Sequence, residues 1–151
     1  MQIKGSWFIK ASREKIYNIM TDFENIPKYF PDVAKSVRIL DEQGNNVILA
    51  LESPYPDGVM QVRRSIELNP PVGYKSYDTT KNSHSFTDFS MTENSKGTKI
   101  KMIGSFDFDN IFYSLLFRVC DLFIIPGLVV RGVIKKRFKK IIIDRLKEIL
   151  G

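Results

Sequence analysis

An arginine within an apolar strand pattern is the residue that most directly suggests chemistry. Between residues 60 and 68, one face of the pattern carries Met60, Val62, Arg64, Ile66 and Leu68, and polar residues alternate with them. Because the side chains of a strand point alternately to its two faces, the apolar face is expected to turn inward and to take Arg64 with it. A buried guanidinium requires a counter-charge or a ligand acceptor. Arg64 is therefore expected to form a structural salt bridge, to extend to a cavity rim, or to contact a ligand.

The strand pattern between residues 84 and 92 leaves its inner face open, because each face mixes an aromatic residue with polar ones. One face carries His84, Phe86, Asp88 and Ser90, and the other carries Ser85, Thr87, Phe89 and Met91. If the first face is the inner one, Asp88 and His84 join Arg64 in a polar cluster, and Phe86 becomes a ligand-binding residue.

Acid–base catalysis would have to use a small set of residues. Asp88, His84 and Tyr77 are the candidates, and either Tyr74 or Tyr77, depending on strand phase, has a hydroxyl that would orient a ligand. Signatures of nucleotide binding, zinc proteolysis and serine hydrolysis are absent. One histidine and one cysteine, Cys120, do not make a His-rich zinc site, so no metal and no cofactor is expected. The residues favour binding over catalysis and leave enzyme activity open.

Turn-forming residues divide the first 110 residues into strands and one helical insertion. Strands are predicted at 2–10, 35–41, 46–52, 59–68, 74–79, 84–92 and 98–108, with a proline-stiffened loop at 53–58. Two short helices follow the first strand, the first capped by Ser12 and the second running from Asn25 to Tyr29. Because the turns are short, neighbouring strands are expected to pair antiparallel, in an α+β fold.

A long helix is predicted at residues 128–150, with one apolar stripe. The stripe consists of Val130, Ile134, Phe138, Ile142, Leu146 and Ile149. At about 1.5 Å per residue the helix is roughly 35 Å long, enough to cross a sheet. Residues 111–125 are apolar nearly all round and are predicted to form a buried or groove-covering helix.

The basic charge of the chain is confined to its C-terminal segment. The 151 residues carry a net charge of +6, but residues 1–110 hold 14 basic and 14 acidic residues, and residues 111–151 hold 9 and 3. A length of 151 residues and this composition predict a single domain over 1–151. The neutral body argues against a general nucleic-acid binder, and no specific DNA binding is expected.

The densest basic run has three interpretations. It comprises Lys135, Lys136, Arg137, Lys139 and Lys140. It is either the solvated face of an amphipathic helix, a peripheral membrane contact, or a ribosome or RNA contact. The start of the chain has no secretory signal pattern, and charges interrupt the most apolar window, so a cytoplasmic location, or a peripheral membrane one, is expected.

The order of elements and one segment resemble a known superfamily. A strand, two short helices, six strands and a long C-terminal helix resemble the START-like superfamily (SRPBCC, the helix-grip fold), in which a curved antiparallel sheet grips the helix. The segment SREKIYNIMTDFENIPKYFPDV, from Ser12 to Val33, resembles the polyketide cyclase/coenzyme Q-binding branch. The resemblance implies a cavity between sheet and helix that holds a hydrophobic small molecule, such as a lipid, a quinone or a polyketide.

The expected function is binding or transport of such a molecule. The predicted ligand-binding residues share inward faces of the strands and the helix stripe: Arg64, Met60, Val62, Ile66, Phe86, Met102, Phe106, Phe108, Ile134, Phe138 and Ile142. The alternatives are a cyclase or dehydratase acting on a polyketide-like substrate, and a module that associates with ribosomes or membranes through the basic helix.

Overall fold

Seven antiparallel strands form one sheet. The computed structural model describes residues 2–56, 58–110, 115 and 124–151. In these residues the strands are β1 Gln2–Ile9, β2 Ser36–Gln43, β3 Asn46–Tyr55, β4 Gly58–Asn69, β5 Gly73–Thr79, β6 Ser83–Asn94 and β7 Gly97–Phe108. Their order across the sheet is β1-β7-β6-β5-β4-β3-β2. The predicted seven-stranded antiparallel sheet is confirmed.

The connection predicted at residues 53–58 is shorter than expected. Two prolines there suggested a stiff loop, but β3 continues through Ser53 to Tyr55, opposite Met60 and Gly58 of β4. The ladder of backbone pairs therefore extends to Tyr55 and Gly58, almost to the end of the hairpin.

Two short helices follow β1, as predicted. Helix α1 spans Arg13–Thr21, and the hydroxyl oxygen of its N-cap Ser12 accepts a hydrogen bond from the backbone N–H of Lys15 at 3.4 Å. A single 3₁₀ turn, Phe23–Asn25, leads into α2, Ile26–Tyr29. Both helices lie at the inner face of the sheet, where α1 buries its apolar side.

The C-terminal helix is one continuous rod with a π-helical turn inside it. It consists of α3 Ile124–Phe138, the π-helical segment Lys139–Asp144, and α4 Arg145–Leu150. The helix predicted at 128–150 is confirmed, and the one predicted at 111–125 falls almost entirely outside the described residues. Arg145 Nε donates to the carbonyl oxygen of Tyr29 at 3.1 Å and so ties the helix to α2.

The π turn changes which residues of the helix are buried. It adds one residue to the turn, so Ile143 is fully buried, while Ile142 is half-buried against the core. Ile149, predicted on the apolar stripe, is 37% exposed, and Leu150 packs against the core instead. The prediction for Ile149 is wrong because the sequence pattern assumed a regular α-helix to its end.

The main core lies between the sheet, α1 and the C-terminal helix. Its buried members come from all three layers: Ile3, Ile9, Ile16, Tyr17, Met20, Phe30, Phe89, Met91, Ile100, Met102, Ile143 and Leu146. A line of aromatic rings connects the layers. Phe138 of α3 packs on Trp7 of β1 at 5.1 Å between ring centroids and on Phe89 of β6 at 5.5 Å. These contacts hold the helix over β1 and β6, the strands on either side of β7.

Gly73, the first residue of β5, is required by a close backbone contact. Its φ is +155°, and a Cβ there would lie 1.9 Å from the carbonyl oxygen of Phe89. We expect Gly73→Ala to lower the free energy of unfolding by about 2 kcal/mol or more, because the backbone has to shift. Urea unfolding followed by circular dichroism measures this change.

Gly132 provides the matched control for this substitution. It lies in α3, with nothing within 4 Å of a Cβ built there. Gly132→Ala is expected to raise the free energy of unfolding by about 0.5–1 kcal/mol through helix propensity. Equal stability of the wild type and Gly73→Ala would contradict the close-contact argument.

Candidate functional site

A cavity of about 220 Å³ lies between the sheet and the C-terminal helix. The helix contributes Ile134, Phe138, Ile141 and Ile142 to its wall, and β4–β7 contribute the opposite wall. Met20 of α1 and Val33 also line it. The described wall is thus mainly apolar on the helix side.

The cavity exists because one row of residues across the sheet is small. The register aligns Ser76 of β5 with Thr87 of β6, and Thr87 with Gly104 of β7. The next row contains large residues at the same strands, Tyr74, Phe89 and Met102. Since neighbouring side chains on one face stand side by side, the small row leaves space beneath the helix and the large row closes it at one end.

The row on the other side of the small one is polar. Arg64 of β4 lies opposite Asp78 of β5, and Asp78 lies opposite Ser85 of β6. Arg64 Nε and Nη2 donate to the two carboxylate oxygens of Asp78 at 2.6 and 2.7 Å. This bidentate ion pair is largely shielded from solvent, with side chains 22% and 19% exposed.

The ion pair keeps Arg64 charged in the interior. Burial lowers the pKa of its guanidinium, but the charge of Asp78 and its hydrogen bonds act more strongly together, and the pKa is raised. A charged, paired group therefore lies at the cavity wall.

Tyr74 lies beside this pair with its phenol protonated. Burial raises the pKa of Tyr74 to about 12, with the charge of Arg64 opposing the increase and that of Asp78 adding to it. Tyr74 and Arg64 also line a second cavity of about 50 Å³, toward β2 and β3. The two residues thus line both cavities, as do Met20, Val33 and Ile142.

The sequence matches a family over most of its length. Residues 9–118 match the family described as polyketide cyclase/dehydrase and lipid transport. The chain belongs to this family. None of the proteins with curated functions matches it by sequence.

Several solved structures have a fold similar to that of this chain. A START superfamily protein from Mycobacterium smegmatis is 14% identical, covers 99% of this chain and 96% of its own, and has a TM-score of 0.70. A protein from Thermus thermophilus, TTHA0849, is 11% identical, with 98% and 95% covered and a TM-score of 0.74. The ZhuI aromatase/cyclase from a Streptomyces species is 15% identical, with 72% and 68% covered and a TM-score of 0.63. At such identities the likeness shows the fold, which is START-like.

In this member of the family, most predicted ligand-binding residues line one of the two cavities. The larger cavity is lined by Arg64, Met102, Phe106, Ile134, Phe138 and Ile142. Ile66 lines the smaller one. Met60 and Val62 face inward as predicted but pack in a separate core cluster with Ala34 and Leu51. Phe108 is half-buried and is not part of either lining.

The sequence pattern leaves the inner face of β6 open, and the structure excludes the alternative in which Asp88 and His84 join Arg64. Phe89 and Met91 are buried, so their face of β6 is the inner one, and His84, Phe86 and Asp88 lie on the outer face. Phe86 therefore lies away from the cavity and packs on Tyr77 at 4.9 Å, whereas His84 contacts Asp109 at 3.1 Å. The three candidate acids and bases do not face the cavity.

The structure adds polar residues that the strand patterns did not select. Asp78, Ser76, Ser85 and Thr87 line the cavity beside Arg64. The alternation of β5 does place Tyr74, Ser76 and Asp78 on one face of the strand. That phase is as polar as the opposite one, so alternation alone did not identify the inner face.

The basic run of the C-terminal helix lies on its surface. All five side chains are exposed, and Lys139 Nζ donates to Asp144 at 2.8 Å across the π turn. Upstream on the same helix, Leu128, Val129 and Val133 are at least 60% exposed. Among the described residues, no helix has the length and apolar character needed to span a membrane.

Ionisation of Tyr74 should lower the stability of the fold at alkaline pH. The unfolded chain ionises this phenol near its ordinary pKa of about 10, and the folded chain only near 12, so the stabilisation is complete below pH 10 and is lost as the pH rises toward 12. We expect a loss of about 1 kcal/mol between pH 9 and pH 11, measured by urea unfolding. Tyr74→Phe should remove this part of the decline.

Tyr77→Phe is the control, because this tyrosine lies on the outer face of the same strand and is 50% exposed. Its pH dependence is expected to parallel that of the wild type. Identical slopes for the wild type and Tyr74→Phe would show that Tyr74 ionises as easily in the folded chain as in the unfolded one.

Proposed function

We propose that this protein binds or carries a hydrophobic small molecule in the larger cavity. The observation that supports this most directly is the row of small residues Ser76, Thr87 and Gly104, which leaves about 220 Å³ unfilled beneath an apolar helix face. Packed interiors rarely leave such a space. Membership of a family that includes lipid transport agrees with this use of the space.

The walls indicate how a ligand is held. The helix side offers Ile134, Phe138 and Ile142, and removal of apolar ligand surface from water is worth about 25 cal/mol per Å². The sheet side offers hydroxyls and the Arg64–Asp78 pair, which satisfy a polar group of the ligand. The cavity thus has a predominantly apolar wall facing a wall with polar contacts.

The arrangement supports binding more than acid–base catalysis. The single histidine is His84, on the outer face, and Tyr74 holds its proton throughout the neutral range because its pKa is about 12. A general acid or base works best with a pKa near the working pH. A cyclase or dehydratase mechanism through Asp88, His84 or Tyr77 is therefore not proposed.

A peripheral contact with anionic membranes is a second proposal. It rests on the outer face of the C-terminal helix, where exposed Leu128, Val129 and Val133 are followed by exposed Lys136 and Lys140. Apolar side chains that enter the lipid interface beside cations that meet anionic headgroups are typical of interfacial helices. The apolar part of this surface favours a lipid over a ribosomal partner.

Filling the cavity tests the first proposal. Gly104 accepts a Cβ at ordinary contact distances, the nearest atom lying at 3.7 Å, so Gly104→Leu should fold and place its side chain in the cavity. With 2-naphthol as a neutral two-ring probe, calorimetry should show binding to the wild type and at least tenfold weaker binding to Gly104→Leu. Ile103→Leu is the matched control, because Ile103 is the preceding residue and faces outward. Equal binding by all three proteins would place the probe elsewhere.

Vesicle co-sedimentation tests the second proposal. The wild type should sediment with vesicles of equal phosphatidylcholine and phosphatidylglycerol and not with phosphatidylcholine alone. The double variant Lys136→Glu/Lys140→Glu should remain in the supernatant, since it reverses the charge beside the apolar surface. The control Lys99→Glu/Lys101→Glu makes the same change in net charge on exposed positions of β7 and should sediment like the wild type. If both double variants stay in the supernatant, the lower net charge alone explains the loss of binding. If both sediment like the wild type, the basic residues of the helix do not contribute to binding.

A further inference from the structure

The two charged side chains of the cavity neutralise one another, and this has consequences for the ligand. We propose that the cavity selects an uncharged ligand that carries a hydroxyl group, and that it rejects carboxylates. This inference rests on the proposed function, binding of a small molecule in the same cavity. It specifies the chemical class of that molecule.

The charge of the wall sums to zero. Among the described residues that line the cavity, Arg64 and Asp78 are the charged ones, and the others are apolar, hydroxylated or glycine. Asp78 occupies the guanidinium in a bidentate arrangement, with both oxygens within 2.7 Å of a donor nitrogen. The charge of Arg64 is therefore already paired and does not require an anionic ligand.

Hydrogen-bonding capacity nevertheless remains on both members of the pair. A guanidinium has five N–H donors. The described hydrogen bonds of Arg64 use Nε and Nη2, which leaves Nη1. The carboxylate of Asp78 has further lone pairs, and Ser85 lies opposite it on β6. A ligand hydroxyl is suited to this place because it donates to Asp78 while it accepts from Arg64 or from a hydroxyl.

A ligand carboxylate is disfavoured at the same place. It would lose its hydration and lie beside the negative charge of Asp78, whose own counter-ion is already engaged. It also has no proton to donate to Asp78. An entirely apolar ligand avoids the repulsion but leaves the remaining polar groups of the wall without partners.

The volume limits the size of the ligand that the described walls enclose. An engineered apolar cavity of about 150 Å³ holds benzene. The present cavity is about 220 Å³, so a molecule of about two fused rings fills it. Three naphthalene derivatives of nearly equal size therefore isolate the polar group: 2-naphthol, naphthalene and 2-naphthoate.

The experiment measures the dissociation constants of the three probes for the wild-type protein by calorimetry at pH 7, where 2-naphthol is neutral and 2-naphthoate is an anion. We expect 2-naphthol to bind about tenfold more tightly than naphthalene, the effect of about one hydrogen bond, and at least tenfold more tightly than 2-naphthoate. This order is decided on the unaltered protein and requires no variant to fold.

Asp78→Asn tests the cause of the order. It keeps the shape of the side chain and leaves the charge of Arg64 unpaired, so 2-naphthoate should become the tightest of the three probes. Asp88→Asn makes the same chemical change on the outer face of β6, and it should keep the wild-type order.

The outcomes separate this inference from the proposed function. If 2-naphthoate binds the wild type as well as 2-naphthol does, the charge argument is overturned, while the cavity still binds a small molecule. If naphthalene equals 2-naphthol, the polar contact is overturned. If none of the three binds, the proposed function itself fails.

Discussion

The antiparallel register of β4–β7 is the constraint on which the rest of the molecule depends. It places residues of four strands in rows across the inner face, so that each row has its own size and polarity. The row through Ser76, Thr87 and Gly104 is too small to reach the helix, and the rows on either side of it are larger or charged. A shift of one residue in any of these strands would turn its inward side chains to solvent and close the cavity.

Sequence alternation predicted much of this arrangement where one face was clearly more apolar. In β4, Val62 and Ile66 flank Arg64 on one face, and this sufficed to predict that the arginine turns inward. In β5 both faces mix tyrosine with polar residues, so the pattern does not separate Asp78 from Tyr77 and does not identify Asp78 as the counter-charge of Arg64. Which polar strand face turns inward is settled by the strands on either side, and a single segment does not contain that information.

The C-terminal helix shows a different limit of the sequence pattern. Its position and apolar stripe followed from spacing as far as Phe138, but nothing in the spacing distinguishes a π turn from a regular one at Lys139–Asp144. The turn changes the buried residue to Ile143 and brings Lys139 to Asp144. The same helix supplies one wall of the cavity and carries the basic surface, so both proposed functions involve one structural element.

The ring contact between Trp7 and Phe138 places the intrinsic tryptophan fluorescence of the protein next to the cavity wall. Trp7 is the only tryptophan of the chain, its indole lies over Gly5, and Phe138, which it contacts at 5.1 Å, lines the cavity. Indole emission from this chain therefore originates at a single point, one aromatic ring away from the space beneath the helix. A change in its intensity or wavelength reads out a movement of that wall directly, and the molecule needs no attached dye for it.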